Sequence, residues 1–302
     1  MAWSDELKTR FQDRCLFSEP LAPYTTFRLG GRAESLVFPA GQEDWAWLLG
    51  FVRRRGLPLT VLGLGSNVIV SDSGLAGVTA TTRGMNACAV SAGRVEAQAG
   101  AALDAVAARA VEAGLAGMEK LSGIPGTVGG ALWINAGAFG QETYADLVSF
   151  TALDPEGRLV SRARGELRYG YRKVEDVAGL VFLSARWELR PGEPGRLREE
   201  RGATLRARAE KQPLEYPSAG SVFKRPPGDF ASRLIDSCGL KGLTVGRAQV
   251  SPKHAGFIVN LGGATARDVM TLVARVREAV LAKTGVRLEL EQVPLGFSRE
   301  AA

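Results

Sequence analysis

Five glycines, Gly123, Gly126, Gly129, Gly130 and Gly137, surround Pro125 within the stretch Gly117 to Gly140. Without a Cβ, glycine lets a backbone take unusual dihedrals and bring its N–H groups against a ligand, the way phosphates and flat cofactor rings are held. The stretch reads as a cofactor seat, with Ile124, Thr127 and Asn135 inside it; the competing reading is a tight turn packed between elements. A second candidate is Gly63-Leu64-Gly65-Ser66-Asn67. The dinucleotide fingerprint would require a third glycine and a helix starting there. Val68-Ile69-Val70 follow instead, β-branched residues that favour a strand. This is a strand–loop–strand whose tip either presents N–H groups to a pyrophosphate or is a plain β-turn.

Three further places carry reactive side chains. Leu167 to Lys173 breaks an alternating pattern with Tyr169, Tyr171 and three cations, Arg172 among them. Ser221 ends the small-residue turn Ser218-Ala219-Gly220-Ser221, with Lys224 and Arg225 at its basic exit; a turn serine more commonly caps its own backbone. Glu289 and Glu291 share parity on a terminal segment, so pattern does not choose between them. His254 is the single histidine. It builds no metal cluster and has no nucleophile partner, so a structural or substrate-orienting role is expected.

These residues need a scaffold, and 302 residues suffice for two or three domains with a sizeable core. The three cysteines are far apart and outside any Cys-x-x-Cys pattern, so neither a disulfide framework nor a zinc site is indicated, and a reducing cytoplasm fits. No positive n-region precedes an apolar core and no 18-residue apolar run occurs, so neither secretion nor a membrane span is expected. A net charge of +6 and a pI near 9.4 suit phosphorylated partners or nucleic acid. The runs Arg53-Arg54-Arg55 and Arg196 to Arg208 lack interleaved aromatics and read as solvated helix faces, so no nucleic acid is expected.

Along the chain, helices are expected at 3–13, 42–55 (Trp45, Leu48, Leu49 and Val52 forming a buried face), 101–114, 193–211, 230–238 and 265–284. Strands are expected at 34–38, 57–62, 78–82, 87–97, 180–189, 244–250, 256–260 and 287–293, with a hairpin over 147–163 turning at Asp154-Pro155-Glu156-Gly157. Strands mix with helices without a repeat, giving an α+β class.

Four segments now stand in order: Thr26-Phe27-Arg28-Leu29-Gly30-Gly31, Gly63 to Asn67, Gly123 to Gly130 with Asn135 to Gly140, and Ala219-Gly220-Ser221-Val222-Phe223-Lys224. Together, from about residue 20 to Gly296, they closely resemble the UDP-N-acetylenolpyruvoylglucosamine reductases, flavoenzymes that form UDP-N-acetylmuramate for peptidoglycan. The resemblance implies a two-part FAD-binding module of the vanillyl-alcohol-oxidase type, residues 1–82 (with 292–302 returning to it) and 83–205, plus an α+β substrate-binding domain, 206–291. It implies noncovalent FAD, with Gly63, Gly65, Ser66 and Asn67 at the pyrophosphate, Gly123, Ile124, Pro125, Gly126, Thr127, Gly129 and Gly130 against the ring, and Arg28, Gly30, Asn135 and Gly137 also cofactor-binding. It implies NADPH as reductant, UDP-N-acetylglucosamine enolpyruvate as substrate, a cytoplasmic monomer, and no metal or membrane partner.

The family's catalytic positions resemble Arg172, Ser221 and Glu291; Tyr171, Lys211, Lys224 and Arg225 resemble substrate-binding positions. No tyrosine lies between Tyr171 and Tyr216, so the chain resembles the class lacking the tyrosine loop that closes over UDP. Arg225 stands where some relatives carry Asn. For reduction of an enol ether conjugated to a carboxylate, the resemblance implies Arg172 stabilising the negative charge that develops there, Ser221 donating a proton to the α-carbon, and Glu291 at the carboxylate end. The rival readings are an oxidase or dehydrogenase of small alcohols on the same fold, and a basic nucleic-acid-binding module.

Overall fold

The computed structural model describes residues 2–298. The chain divides into two compact units, one of residues 2–17, 35–64 and 77–208, the other of residues 18–34, 65–76 and 209–298. The second unit thus gathers the Thr26–Gly31 loop and the Gly65–Asn67 tip, which consecutive segmentation assigns to the first flavin-binding part, with everything from Ala209 onward. The last four residues of the expected C-terminal return, 299–302, lie outside the described residues.

Seven α-helices occur among the described residues: α1 Trp3–Phe11, α2 Gln42–Arg55, α3 Leu103–Glu112, α4 Val128–Ile134, α5 Pro194–Lys211, α6 Ala231–Ser237 and α7 Ala266–Thr284. In the first unit, α2 buries Trp45, Leu48, Leu49 and Val52 on one face, as the three-and-four spacing dictates. It ends at Gly56, whose φ of +62° supplies the left-handed cap. A five-stranded antiparallel sheet runs in the order Leu159–Ala163, Leu147–Leu153, Val181–Glu188, Arg94–Gln98, Cys88–Ser91. The expected hairpin over 147–163 is its edge, paired from Leu153↔Leu159 to Ser149↔Ala163. Strand Leu59–Leu62, which leads into Gly63, pairs in parallel with Leu75–Thr81. Trp45, Trp187, Tyr144 and Phe150 are fully buried here; truncating one such aromatic to alanine typically costs ~3–5 kcal/mol.

In the second unit, α7 lays Val269, Leu272, Val273, Val276 and Val280 against a small sheet of Thr244–Val245, Ala248–Val250 and Ile258–Asn260. A capping box of Thr265 and Asp268 starts α7, and Gly285 at φ +71° stops it. Strand Val68–Val70 pairs in parallel with Val293–Leu295.

Several elements differ from expectation; the strand expected over 87–97 is a hairpin of Cys88–Ser91 and Arg94–Gln98, and a strand Cys15–Pro20 was not expected. The strand expected over 244–250 is a hairpin, because Gly246 adopts φ +55° and turns the chain. The strand expected over 287–293 is an irregular segment with one bridge, Leu290↔Phe223, before the strand Val293–Leu295. Helix α4 was not expected: Thr127 caps it, its Oγ1 accepting the Gly130 N–H at 3.2 Å, so Gly129 and Gly130 form its first turn.

Candidate active site

In the first unit the glycine stretch is held by its own neighbours. A Cβ at Gly63 would lie 2.4 Å from Thr127 Oγ1, so the start of the Gly63–Asn67 tip rests directly on the α4 cap. At Gly129 a Cβ would meet Ala99 at 3.1 Å, and at Gly137 the Gln141 carbonyl at 2.5 Å; at both positions protein packing accounts for glycine. Gly130 is exposed, with only its own cap nearby, while Pro125 is exposed and Ile124 and Gly126 are half-buried. Asn135, fully buried in the left-handed region at φ +47°, spends its amide on the protein. Its Nδ2 donates to Glu142 at 2.8 Å and to the Gly170 carbonyl at 3.1 Å, and its Oδ1 accepts the Tyr144 N–H at 3.2 Å.

Through that second bond Asn135 ties the glycine stretch to the short hairpin Tyr169–Gly170/Lys173–Val174. Tyr171 and Arg172 form its turn, Arg172 at φ +54°. The Arg172 guanidinium donates to the Gly137 carbonyl at 2.7 Å and the Asn135 carbonyl at 3.4 Å, and lies 5.1 Å from the Tyr171 ring centroid. The structure therefore brings Arg172 onto the glycine stretch, which sequence spacing did not reveal.

Arg208, read from sequence as part of a solvated face, is a correction: only 6% of it is exposed. Its Nε donates to the Ser122 carbonyl at 2.8 Å and its guanidinium lies 5.4 Å from the Phe139 ring centroid. Arginines at 196, 198, 201, 206 and 208 give α5 no apolar face, so the sequence carries no signal for which one turns inward. The remainder of the run is largely solvated, Arg196 pairing with Glu200 on the surface.

In the second unit, Glu291 donates its backbone N–H to the Val222 carbonyl at 2.8 Å and Lys224 donates its own to the Glu289 carbonyl at 2.9 Å, so the Ser221 segment and the glutamate segment run side by side. Ser221 is exposed and bridges Phe257. The two glutamates that parity left equivalent are distinct: Glu289 is exposed and its carboxylate pairs with Lys224, whereas Glu291 is half-buried. The Gly65–Asn67 tip joins this assembly, since Asn67 Nδ2 donates to the Glu291 carbonyl at 3.2 Å. The Thr26–Gly31 loop joins too, with Thr26 Oγ1 donating to the Ser218 carbonyl at 2.7 Å and Thr26 N–H to the Gly65 carbonyl at 3.2 Å. Gly30, at φ +116°, presses on Val70, and Arg28, at φ +53°, is exposed.

Gln292, which sequence reasoning passed over, is buried and donates to the carbonyls of Ala219 and Gly220 at 3.1 and 3.2 Å, fixing the turn before Ser221. Arg225 is exposed with its guanidinium 4.6 Å from the Phe230 ring centroid, and Lys211 is exposed at the end of α5. His254 Nδ1 accepts the Gly256 N–H at 3.1 Å and its ring lies edge-on to Phe257; burial holds its pKa below the usual imidazole value. It is one residue contact removed from Ser221.

The donor set fits a flavin nucleotide. Among the described residues, no hydrogen bond engages the backbone N–H groups of Gly63, Leu64, Gly65 or Ser66, which are buried or half-buried; such groups call for acceptors, as a pyrophosphate supplies. No group of metal-ligating side chains occurs among the described residues, and no helix is long and apolar enough to cross a membrane.

Comparisons with known proteins assign the chain to a family. A family model described as FAD binding domain matches residues 33–162, and one described as UDP-N-acetylenolpyruvoylglucosamine reductase, C-terminal domain, matches residues 212–294. The UDP-N-acetylenolpyruvoylglucosamine reductase of Pediococcus pentosaceus is 45% identical over 90% of this chain and 91% of its own length. That of Methylococcus capsulatus is 47% identical over 90% of each. The crystal structure of the Thermus caldophilus reductase, 35% identical, covers 93% of this chain and 98% of its own with a TM-score of 0.81. With the flavin-binding module and the α+β C-terminal part both matched, the chain belongs to the UDP-N-acetylenolpyruvoylglucosamine reductase family of FAD-dependent oxidoreductases.

Proposed function

We propose that this protein reduces the enolpyruvyl group of UDP-N-acetylglucosamine enolpyruvate to the lactyl ether of UDP-N-acetylmuramate in peptidoglycan precursor synthesis, with NADPH as the electron source, in the cytoplasm. The observation that supports the reading is the side-by-side run of the Ser221 and Glu291 segments, whose hydroxyl and carboxyl resemble the family's catalytic serine and glutamate. FAD, when bound, supplies hydride transfer from the nicotinamide to the substrate's terminal methylene carbon.

The chain's own residues do the rest. Arg172 carries a permanent charge, and its guanidinium donates to the Asn135 and Gly137 carbonyls, a planar fork suited to stabilising the substrate carboxylate as charge builds on it. Ser221 gives the α-carbon its proton, so hydride and proton together saturate the double bond. Glu291 orients the carboxylate end, and Tyr171, Lys211, Lys224 and Arg225 serve the nucleotide. Arg28, Gly30, Gly63, Gly65, Ser66, Asn67 and the Gly123–Gly137 residues serve the flavin, Asn135 by shaping the stretch and not by direct contact.

The test is spectroscopic. Without oxygen, NADPH bleaches the bound flavin, and colour returns only on addition of the enolpyruvyl nucleotide. Recovery of colour with simple alcohols, carbonyls or no substrate at all contradicts the assignment, and NADH acting as efficiently as NADPH contradicts the choice of reductant.

A further inference from the structure

Arg208 is built into the first unit in a way that leaves one of its buried donors idle. Its Nε is held by the Ser122 carbonyl and its aliphatic stem fills the space above Gly123, where a Cβ would lie 2.7 Å from Arg208 Cδ and where φ is +73°. Its Nη2 is nevertheless buried with no hydrogen-bond partner, and the fully buried hydroxyl of Ser122 is unpartnered as well. Asp104, the acidic group that faces Arg208, is already engaged by the Gly123 N–H and by Arg201, both at 2.8 Å. Arg172 adds like charge from the other side. Burial, reinforced by Arg172, holds the Arg208 pKa below the usual guanidinium value. A buried cation with an idle donor, beside an idle hydroxyl, calls for an acceptor that the protein itself does not provide.

We propose that Arg208 and Ser122 form a seat for the pyrimidine edge of the flavin, where Arg208 counters the negative charge that the ring carries at N1 and the C2 carbonyl once reduced. The inference rests on the FAD reading given above. Two observations favour the flavin over the substrate carboxylate as occupant. The seat is continuous with Gly123 at the head of the glycine stretch, and its two kinds of donor suit the adjacent N1 and C2 carbonyl acceptors of the pyrimidine edge. Charge at this edge is one of the ways a protein tunes a flavin.

The experiment compares wild-type holoenzyme with R208K, R208Q and S122A for FAD dissociation constant, midpoint potential and affinity for sulfite, which adds to the flavin and leaves negative charge at the same edge. R208Q is expected to weaken sulfite binding by about 10- to 100-fold, the worth of one charge-assisted hydrogen bond, and to lower the midpoint potential. R208K is expected to restore part of both, and S122A to weaken FAD binding several-fold. Wild-type sulfite affinity and potential in R208Q, with only the KM for the enolpyruvyl nucleotide raised, assign the seat to the substrate and overturn the proposal. Should R208Q fail to fold, unchanged FAD affinity, potential and sulfite binding in both R208K and S122A overturn it equally. Wild-type protein that binds no FAD overturns the functional reading itself, and this outcome is distinct because it appears before any substitution is made.

Discussion

The two regions proposed to carry the chemistry hold their charged side chains differently. Around the glycine stretch of the first unit, the main-chain carbonyls of Asn135, Gly137 and Ser122 accept from the guanidiniums of Arg172 and Arg208. Beside Ser221 in the second unit, Lys224 is tied to the Glu289 carboxylate, and the turn is pinned by neutral bonds from Gln292 and Thr26. One region rests two guanidiniums on main-chain carbonyls; the other fixes where a hydroxyl sits. Under the proposed function the contrast divides labour between stabilising an anion and delivering a proton, and it can be broken or sharpened by substitution.

The largest effect is expected from Ser221→Ala, which should lower turnover by about 10²–10⁴ through loss of the placed proton donor. Stopped-flow measurement should show flavin reduction by NADPH unchanged; equal slowing of both half-reactions would dissolve the proposed division. Next, Arg172→Gln should cost about 10²–10³ in turnover. Arg172→Lys should recover little, because one ammonium cannot reproduce the two-carbonyl fork and still face the substrate. Full rescue by lysine would mean that charge alone matters. For Glu291, proposed to orient the substrate's carboxylate end by hydrogen bonding, replacement by Gln should retain more activity than replacement by Ala. Equal loss, read from steady-state rates, would remove any hydrogen-bonding role.

Smaller effects report on the frame. Gly123→Ala should destabilise by about 1–3 kcal/mol, since it forces a left-handed residue and crowds Arg208. A melting temperature equal to wild type would show that the close approach is soft. His254 has a pKa depressed by burial, so the unfolded chain takes up its proton first as pH falls. Its contribution to stability is therefore full above about pH 6.5, the unperturbed value, and is lost as pH drops through the lower folded value. Relative to wild type, His254→Asn should flatten the decline in melting temperature below that pH, and parallel curves would refute the assignment.

Much of this arrangement could be read from residue order, and the exceptions have physical causes. Helix α2 was legible because Trp45, Leu48, Leu49 and Val52 repeat at helical spacing, and α7 because Thr265, Asp268 and Gly285 mark its ends. Helix α4 was hidden because glycine is a poor helix former, and only the Thr127 cap betrays it. The inward turn of Arg208 had no signal in a helix without an apolar stripe. That Lys224 reaches the Glu289 carboxylate is a relation across 65 positions that no local pattern encodes. Asn135 drew notice for its small neighbours, yet its amide serves the Tyr169 hairpin, a partner visible only once the chain is folded.

The parallel pairing of Val68–Val70 with Val293–Leu295 has a bearing on biosynthesis. During translation the early strand emerges long before its mate. Completion of the second unit thus waits on a late partner, and its slow, non-local closure leaves an unpaired edge on the nascent chain. Truncation before Val293 should accordingly yield a polypeptide that engages chaperones and aggregates, even though every residue proposed to act on substrate or flavin would still be present.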